Sequence, residues 1–382
     1  MEGLQRAQEL VDSYAALVAA ELPPGAEPFD AHVHLGHDID GMVGKLDELL
    51  AIQQRYGFTG SFMFCLDERD RHPAFRAAND RTLDFAARSG EALIPFVRLD
   101  LAESPLEEAL RCLELGARGI KLHPRAQGFL FDDVRLAPVF ELALARRVPI
   151  LVHGGRGLPP IADALAALVE RYAGVTLIVA HAGIADMAGL AGHFGGVPGV
   201  FFDSSVWSGL DLLDLFRQVA PEQVVYASDY PYGRQPGSLL LALRTARLAG
   251  LDDAQLRAML GDNARRIAAG EPPLPLSQPR GADTLTLPLT FARIHQYLSM
   301  ATPLLWLRQP EAAVGLGLAL NATLEPNGHR EETGQIRELL EHARELWQAM
   351  PEVEDEHERV ATARTTIRLI QLADILAVTT RA

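Results

Sequence analysis

Eight short, strongly apolar runs recur between residues 28 and 229, and this rhythm constrains the fold more than any other feature of the chain. The runs start about 30 residues apart, and most are apolar throughout instead of alternating with polar residues. Continuous apolar runs of this length are typical of parallel strands that are buried on both faces of a sheet. The runs occupy residues 28–34, 59–65, 92–99, 117–123, 148–154, 174–181, 199–205 and 223–229.

The segments between these runs have helical periodicity, as in residues 42–57, 104–116 and 134–147. Eight strands that alternate with helices over about 240 residues predict an α/β fold of the (β/α)8 TIM-barrel type. A doubly wound open sheet is the alternative. It usually has fewer strands, and no glycine-rich dinucleotide-binding sequence follows an early strand here. The barrel is therefore the predicted architecture.

The barrel pattern ends near the sequence GDNARRIAAG at residues 261–270, and a proline-rich segment follows it. The apolar residues that come later recur at helical spacing, for example Ile336, Leu339, Leu340, Ala343 and Leu346. A helix with one apolar face must bury it, so we expect a small helical bundle that forms oligomer contacts or a lid. The predicted divisions are an N-terminal helix and lead-in (1–27), the barrel (28–270), a linker (271–289) and an all-α C-terminal domain (290–382).

Side chains that bind metals or transfer protons follow several of the predicted strands. The carboxyl ends of barrel strands meet at one rim, which carries the active sites of such enzymes, so these residues are predicted to share one pocket. The other histidines, His295 among them, fall in predicted loops or helices and are expected to be solvated. The strand-end residues are His32 and His34 (first strand), Lys121 and His123 (fourth), His153 (fifth), His181 (sixth) and Asp229 (eighth).

His32 and His34 are separated by a single valine. Side chains at positions i and i+2 of a strand point to the same side, so both imidazoles can bind one ion. Nitrogen and oxygen donors around an open position suit a catalytic divalent metal, zinc first. Such a metal lowers the pKa of bound water toward about 7, and an adjacent carboxylate, here Asp229, can accept the proton. An isolated His-X-His pair is more often structural, and the other strand-end donors are what favour a metal site.

Six motifs together resemble the amidohydrolase superfamily. They resemble in particular its amidohydrolase-related (amidohydrolase 2) branch of TIM-barrel metal-dependent hydrolases, to which aminocarboxymuconate semialdehyde decarboxylase is related. The resemblance extends over residues 28–270 and is specific to the fold and the metal site, not to a substrate. The motifs are DAHVHLG (30–36), GIKLHP (119–124), LVHGG (151–155), IVAHAG (178–183), YASDYP (226–231) and GDNARRI (261–267).

The resemblance implies a role for each residue that matches a motif. His32, His34 and His153 match the metal ligands on strands one and five of the family. Asp229 matches the strand-eight aspartate, which binds the metal and accepts a proton. His181 matches the strand-six histidine, which polarises the substrate or shuttles protons in members with one metal. The implied cofactor is a divalent metal ion, with zinc expected, manganese as the alternative, and one ion favoured over two.

Lys121 matches a position that the family uses in two ways. In binuclear members such as dihydroorotase, the lysine is carboxylated and bridges two metals, so Lys121 would then be a ligand. In mononuclear members this position need not bind metal. An uncarboxylated lysine beside a dication is repelled unless an anion lies between them. In that case Lys121 is expected to bind a substrate carboxylate.

Three further residues are candidates for binding substrate. Arg98 ends the third strand, and Arg156 lies in the sequence HGGRG, whose glycines let backbone N–H groups approach a ligand. A guanidinium binds a carboxylate through two parallel hydrogen bonds, although pairing with a local acid is the alternative for each arginine. His123 is the third candidate, and its alternative is a hydrogen bond to a neighbouring loop.

The composition argues against several classes of partner. The chain is 48% hydrophobic and 22% charged, as in globular proteins, and its net charge of −15 disfavours nucleic acids and anionic membrane surfaces. The N-terminal segment carries acids where a signal peptide carries lysines, and no apolar run reaches the roughly 20 residues that span a bilayer. We therefore expect a cytoplasmic homo-oligomer that binds a small-molecule substrate, with no nucleic-acid or membrane partner.

The leading functional interpretation is hydrolysis, in which metal-activated water attacks an amide, lactone or ester of a small carboxylate-bearing substrate. Asp229 would shuttle the proton, and His181 would steady the developing oxyanion. The first alternative is non-oxidative decarboxylation of an aromatic or unsaturated acid at the same metal site. The second is an inactive barrel that acts as a scaffold or binds partners through its helical tail.

Overall fold

A closed barrel of parallel strands stands at the centre of the computed structural model, which describes residues 2–281 and 286–380. Each predicted apolar run coincides with one of the parallel strands, the first of which extends three residues beyond its run, so the predicted TIM barrel is confirmed. The short antiparallel strand at residues 43–44 was not predicted, because it lies in the loop after the first strand and has no apolar run of its own. The strands in the described ranges are β1 (Phe29–His37), β2 (Val43–Gly44), β3 (Gly60–Cys65), β4 (Leu93–Arg98), β5 (Gly119–Leu122), β6 (Ile150–Val152), β7 (Leu177–Val179), β8 (Val200–Asp203) and β9 (Val224–Val225).

The strand order is β2-β1-β3-β4-β5-β6-β7-β8-β9, and only β2 is antiparallel to its neighbour. Backbone hydrogen bonds between β1 and the segment after β9 close the sheet. The Ala31 N–H donates to the Tyr226 carbonyl at 2.9 Å, and the His34 N–H donates to the Tyr230 carbonyl at 2.7 Å. Closure removes the free sheet edges and brings the ends of β1 and β9 side by side.

A β-bulge in β1 determines which way its histidines point. The pairing of β1 with β3 shifts register between Asp30 and Val33. Before the bulge, Ala31 packs in the cluster of side chains that fills the barrel interior, whereas Val33 belongs to a cluster that includes residues of α2 (Leu46–Tyr56). A bulge re-aims the residues that follow it, so His32 and His34 are directed into the barrel.

Helices surround the barrel, and a further group of helices follows it. Gly57 is left-handed (φ 70°) at the end of α2, a conformation that glycine adopts without steric cost. No helix in the described part of the chain is both long enough and apolar enough to span a membrane. Besides α2, the helices are α1 (Glu2–Glu21), α3 (Arg76–Arg88), α4 (Pro105–Glu114), α5 (Pro124–Gln127), α6 (Ala137–Arg146), α7 (Ala162–Arg171), α8 (Met187–Phe194), α9 (Gly209–Gln218), α10 (Gly237–Leu248), α11 (Asp253–Arg257), α12 (Asn263–Ala269), α13 (Leu289–Trp306), α14 (Ala312–Ala322), α15 (Arg330–Ala349) and α16 (Glu356–Thr379).

The C-terminal helices form the predicted bundle, and they pack on the barrel instead of standing apart from it. α16 contacts α1, α9 and α10, and α15 contacts α1. The apolar stripe predicted on α15 is buried, and its residues belong to the same continuous core as α10 and α16. The linker predicted at residues 271–289 has no regular structure over 271–281, and residues 282–285 lie outside the described ranges.

One histidine of the bundle differs from the sequence prediction. His295 was expected to be solvated, but it lies between α13 and α16 with only 14% of its side chain exposed. Its Nδ1 is 2.7 Å from Oδ1 of Asp374, a buried carboxylate on α16. The prediction was wrong because the contact joins residues 79 positions apart, and local spacing carries no information about such a pairing.

Candidate active site

A cavity of about 440 Å³ lies at the carboxyl ends of the barrel strands. Parallel strands bring their last residues to this rim, and the loops that follow them form its walls. Of the nine site residues predicted from the sequence, Arg156 alone does not line the cavity. The eight that do are His32, His34, Arg98, Lys121, His123, His153, His181 and Asp229.

Three metal-binding atoms converge at the bottom of this cavity. Nε2 of His32 and Nε2 of His34 are 3.1 Å apart, and each lies 3.3 Å from Oδ1 of Asp229. These side chains form a group whose ligand atoms are close enough together to bind one ion. Both histidines are buried.

The hydrogen bonds behind the two histidines determine which nitrogen carries the proton. Nδ1 of His32 is 2.7 Å from Oδ2 of Asp203, and Nδ1 of His34 is 3.2 Å from the carbonyl oxygen of Cys65. A carboxylate and a carbonyl only accept hydrogen bonds, so both Nδ1 atoms donate. Burial lowers the pKa of both imidazoles, which favours their neutral forms. Each Nε2 therefore presents a lone pair toward Asp229.

Asp229 has an unusual backbone conformation that aims its carboxylate at the histidines. Its φ of 59° lies in the left-handed region, which few residues other than glycine adopt. Its N–H donates to the His32 carbonyl at 2.9 Å, and its own carbonyl accepts from Tyr232 and Gly233. Burial alone would raise the pKa of Asp229, but attraction to the protonated forms of the adjacent imidazoles, His32 first, outweighs it and lowers the pKa to about 2. The carboxylate is ionised at neutral pH.

A second pair of histidines lies across the cavity. Oγ of Ser205 donates to Asp203 at 2.6 Å, so the Ser205 hydroxyl and carbonyl oxygens, at 2.9 and 3.0 Å, both accept from Nδ1 of His181. Nε2 of a neutral His181 must then accept from Nδ1 of His153, 3.0 Å away. His153 is thereby left with a buried Nε2 that has no hydrogen-bond partner among the described residues. The His153 ring also stacks on His123, with ring centroids 3.9 Å apart.

His153 is not part of the converging group formed by His32, His34 and Asp229. Burial lowers its pKa, so its unpartnered Nε2 carries a lone pair. A neutral, buried nitrogen without a hydrogen-bond partner is a suitable metal ligand, and the assignment of His153 as a ligand remains a prediction.

Two buried cations border the metal-binding atoms. Nζ of Lys121 is 3.5 Å from Nε2 of His32 and 4.5 Å from the ring centroid of Phe64, and burial lowers its pKa to about 7. Nη1 of Arg98 donates to the Cys65 carbonyl at 3.3 Å. Nε and Nη2 of Arg98 are buried and have no hydrogen-bond partner within the described ranges, although Oδ1 of Asp67 lies 3.7 Å from Nη2. These two atoms form the edge of a guanidinium that binds a carboxylate side-on.

Of the two remaining residues that were predicted to bind substrate, His123 lies at the cavity and Arg156 does not. His123 lines the cavity, and its Nδ1 also accepts from the Ala126 N–H at 3.2 Å. The structure does not bring Arg156 to the site: its side chain is 79% exposed and lies 3.5 Å from Asp211. Arg125, next to the motif GIKLHP, lines the cavity instead. The sequence could place the HGGRG loop at the rim, but it could not show which way its arginine side chain turns.

Sequence reasoning also missed Asp203, which is buried beneath both histidine pairs. Its Oδ2 accepts from His32, and its Oδ1 accepts from Ser205 and from the His181 N–H at 2.7 Å. The available signal was its position, because Asp203 is the last residue of a parallel strand, as Arg98 is. Tyr232 was missed as well; it lies in the loop after β9 and donates to Asp40 at 3.2 Å.

The comparisons with known proteins agree on the barrel. Residues 29–267 match a family model described as amidohydrolase. The match with a putative amidohydrolase from Staphylococcus aureus covers 64% of this chain and 98% of that one, with 15% identity and a TM-score of 0.51. A 2,6-dihydroxybenzoate decarboxylase from Rhizobium gives the same four values. A 4-oxalomesaconate hydratase from Rhodopseudomonas palustris is 16% identical, with 64% and 96% coverage and a TM-score of 0.50.

At such low identities, the structural likeness shows the fold alone. A search of the curated proteins found no match to this chain. The helices from α13 onward lie beyond the residues that the family model matches.

Proposed function

The chain belongs to the amidohydrolase family, and from this premise we propose that it is a metal-dependent hydrolase acting on a small, carboxylate-bearing substrate. The bond it cleaves is an amide, lactone or ester. The observation that supports this most strongly is the convergence of His32, His34 and Asp229, whose ligand atoms lie 3.1 to 3.3 Å from one another. Two neutral imidazoles and a carboxylate that all present lone pairs to one point repel each other unless a cation lies between them.

The residues of the site fit a divalent metal. His32, His34 and Asp229 would bind it, and His153 is a fourth candidate because its buried Nε2 has no partner within the described part of the chain. Three or four nitrogen and oxygen ligands suit zinc, with manganese as the alternative. When bound at such a site, a divalent metal polarises a carbonyl group and lowers the pKa of a water ligand. One ion is favoured, because His32, His34 and Asp229 form a single converging group; a carboxylated Lys121, whose Nζ lies 3.5 Å from Nε2 of His32, would provide for two.

The side chains around the metal-binding group can accept and donate the protons that hydrolysis requires. Asp229 is ionised at neutral pH and can accept a proton from the attacking water. His181 holds a proton on Nδ1 that Ser205 accepts, and its Nε2 accepts from His153; only after Nε2 takes up a proton can His181 steady an oxyanion or pass that proton to the leaving group. Asp203 keeps His32 and His181 in these orientations.

The buried cations support a carboxylate on the substrate. Nε and Nη2 of Arg98 have no hydrogen-bond acceptor in the described ranges, and two buried N–H groups without an acceptor are costly. A carboxylate would satisfy both N–H groups at once, and Lys121 and Arg125 line the same cavity. His123 stacks on His153 and completes this side of the cavity.

The same cations favour one alternative reaction. A carboxylate that is bound beside the metal-binding group is also what a decarboxylase of aromatic or unsaturated acids requires. The metal-loaded protein is therefore assayed against carboxylate-bearing amides, lactones and esters, and separately against aromatic acids. Formation of a new acid or alcohol without CO₂ supports hydrolysis, whereas CO₂ release with loss of the substrate carboxylate establishes the alternative.

Elemental analysis of the purified protein tests the metal site itself. We expect one equivalent of divalent metal per chain, which is lost in His34→Ala. The matched control is His37→Ala, which removes an exposed histidine at the end of the same strand and should keep the metal. Two equivalents would assign a bridging role to Lys121. If no metal binds after incubation with zinc or manganese, the proposal fails and the barrel is better interpreted as a scaffold.

A further inference from the structure

The last helix, α16, contacts loops of the active site although it lies beyond the residues that match the family. Two of its arginines, Arg364 and Arg368, are four residues apart and so lie on one face of the helix. Both face loops that follow strands of the barrel at its active-site rim, and each makes a hydrogen bond to one of them.

Arg368 holds the far end of the loop that begins with Asp229. Its Nη2 donates to the carbonyl oxygen of Gln235 at 2.6 Å. The side chain of Gln235 is buried; its Oε1 accepts from the Leu239 N–H at 3.1 Å, which joins the loop to α10. α16 lies against this junction, because a Cβ added at Gly237 would be 2.6 Å from Oε1 of Gln371.

The loop between these two ends, residues 229–236, is a tight unit. The Asp229 carbonyl accepts from the Tyr232 N–H at 2.8 Å and from the Gly233 N–H at 3.0 Å. A Cβ added at Gly233 would be only 1.8 Å from the Ser228 carbonyl oxygen, so the turn has no room for a side chain there. A displacement of Gln235 is therefore transmitted to Asp229 and Tyr232.

Arg364 reaches the other loop that walls the cavity. Its Nη2 is 3.5 Å from Sδ of Met42. Met42 is tied to the cavity-lining acids of its loop, because its N–H donates to Asp40 at 2.8 Å and its carbonyl accepts from the Asp38 N–H at 2.8 Å. The Tyr232 hydroxyl also donates to Asp40, so the two loops are joined to each other at the mouth of the cavity.

Three arginines lie close together where α16 meets the loop 229–236, and their mutual repulsion does not favour the folded state. Arg234 is the third arginine of the group; it pairs with Glu48, and one of its nitrogens is buried without a hydrogen-bond partner in the described residues. Burial first, and then the charge of Arg234, lowers the pKa of both Arg364 and Arg368. Replacing Arg368 by an apolar residue relieves this repulsion, which offsets the loss of its hydrogen bond to Gln235. We therefore expect the substitution to change the position of the loop more than the free energy of unfolding.

We propose that Arg364 and Arg368 are positioning residues, through which the C-terminal helix holds the two active-site loops, 38–44 and 229–236, in register with the metal-binding group. The proposal rests on the proposed function in one respect, since Asp229 matters as a metal ligand only if a metal binds. It makes the helical extension a part of the active site and not only a cover for the barrel helices.

Amide hydrogen exchange tests the proposal without any metal. In Arg368→Met, the hydrogen-bonded amides of Asp229, Tyr232 and Gly233 are expected to exchange about tenfold faster than in the wild type. The matched control is Arg359→Met on the same helix, whose side chain donates to the Val353 carbonyl within the bundle. Unchanged exchange in Arg368→Met would overturn the proposal.

Binding of Co²⁺ to the metal-free protein is the second readout, followed by visible absorption and by competition with a chelator. Arg368→Met should bind Co²⁺ about tenfold more weakly than the wild type and show an altered spectrum, whereas Arg359→Met should match the wild type. Faster exchange with unchanged Co²⁺ affinity would also overturn the proposal, because the loop would then not position the ligand.

Different results would contradict the proposed function and the positioning role of the arginines. A wild-type protein that binds no Co²⁺ contradicts the proposed function, while the exchange comparison still reports on the loops. If Arg368→Met does not fold, Arg368→Leu and Arg364→Met carry the same comparison, since each removes the donor and retains much of the buried apolar volume. Wild-type exchange and wild-type Co²⁺ affinity in both of these variants would overturn the proposal.

Discussion

Asp203 shows how one buried side chain can organise a site that it does not line. One of its carboxylate oxygens accepts from His32, and the other accepts from Ser205 and from the backbone of His181. It therefore sets the tautomer of a proposed metal ligand and the orientation of the proposed proton shuttle at the same time. Such supporting hydrogen bonds commonly decide metal affinity as much as the identity of the ligands does.

Replacing Asp203 by asparagine should weaken metal binding. The amide presents one acceptor where the carboxylate presents two, so either His32 or the Ser205–His181 pair loses its partner. We expect Asp203→Asn to bind Zn²⁺ about 10 to 100-fold more weakly, measured by competition with a chelator. Asp214→Asn, at a polar position on α9, is the control and should bind as the wild type does. Equal affinity in the two variants would show that Asp203 does not orient a metal ligand.

Among the elements, the contact between α13 and α16 includes a half-buried pair of titratable side chains, His295 and Asp374. His295 on α13 faces Asp374 on α16 at 2.7 Å, Ser299 on its own helix, and the charge of Asp211 on α9. Burial by itself would lower the pKa of His295, but the hydrogen bond and charge of Asp374 raise it overall. Burial also raises the pKa of Asp374, and His295 opposes that rise. The protonated imidazole is therefore favoured in the folded state.

This pairing predicts a pH dependence of stability. A raised histidine pKa stabilises the fold fully below the unfolded value of about 6.5, and the stabilisation is lost as pH rises through the folded pKa. His295→Asn should be about 1.5–3 kcal/mol less stable than the wild type at pH 6 and closer to it at pH 9, as measured by urea unfolding. His357→Asn, at an exposed position on α16, should keep the wild-type profile. A constant difference between His295→Asn and the wild type across this range would contradict the prediction.

At the scale of the whole molecule, the bundle leaves one surface apolar. α13, the residue that follows it and α14 expose large apolar side chains, at Met300, Trp306 and Leu307 and at Val314 and Leu318. Apart from His295, the charged residues of segment 289–324 are only Arg293, Arg308 and Glu311, in a chain with a net charge of −15. Two copies of so acidic a chain repel each other over most of their surface, and this near-neutral face is where they can approach.

We therefore expect a homo-oligomer built through the α13–α14 face. Light scattering coupled to size-exclusion chromatography should give a multiple of the chain mass for the wild type. The double variant Leu307→Glu with Val314→Glu should give one chain mass, because apposed carboxylates in an apolar contact are strongly unfavourable. Val134→Glu, at a site 84% exposed beside the barrel, is the control and should stay oligomeric. A monomeric wild-type protein would contradict the prediction.

The sequence was sufficient for the barrel and for the centre of the site because both depend on local patterns. Apolar runs at regular spacing predicted the eight parallel strands, and the rule that strand ends share a rim brought His32, His34 and Asp229 together across almost 200 residues. The two-residue spacing of His32 and His34 placed them on one side of β1, and the structure adds the bulge that turns this side inward.

Contacts between distant segments were decided only by the tertiary structure. The outward turn of Arg156, the entry of Arg125 into the cavity, the partners of Asp203 and the bond from Arg368 to Gln235 depend on which side chains meet after packing. Local spacing determines the face of an element on which a residue lies, whereas its partner depends on how whole elements are arranged. A residue 133 positions away can therefore support the active-site loop, and no local pattern in the sequence announces it.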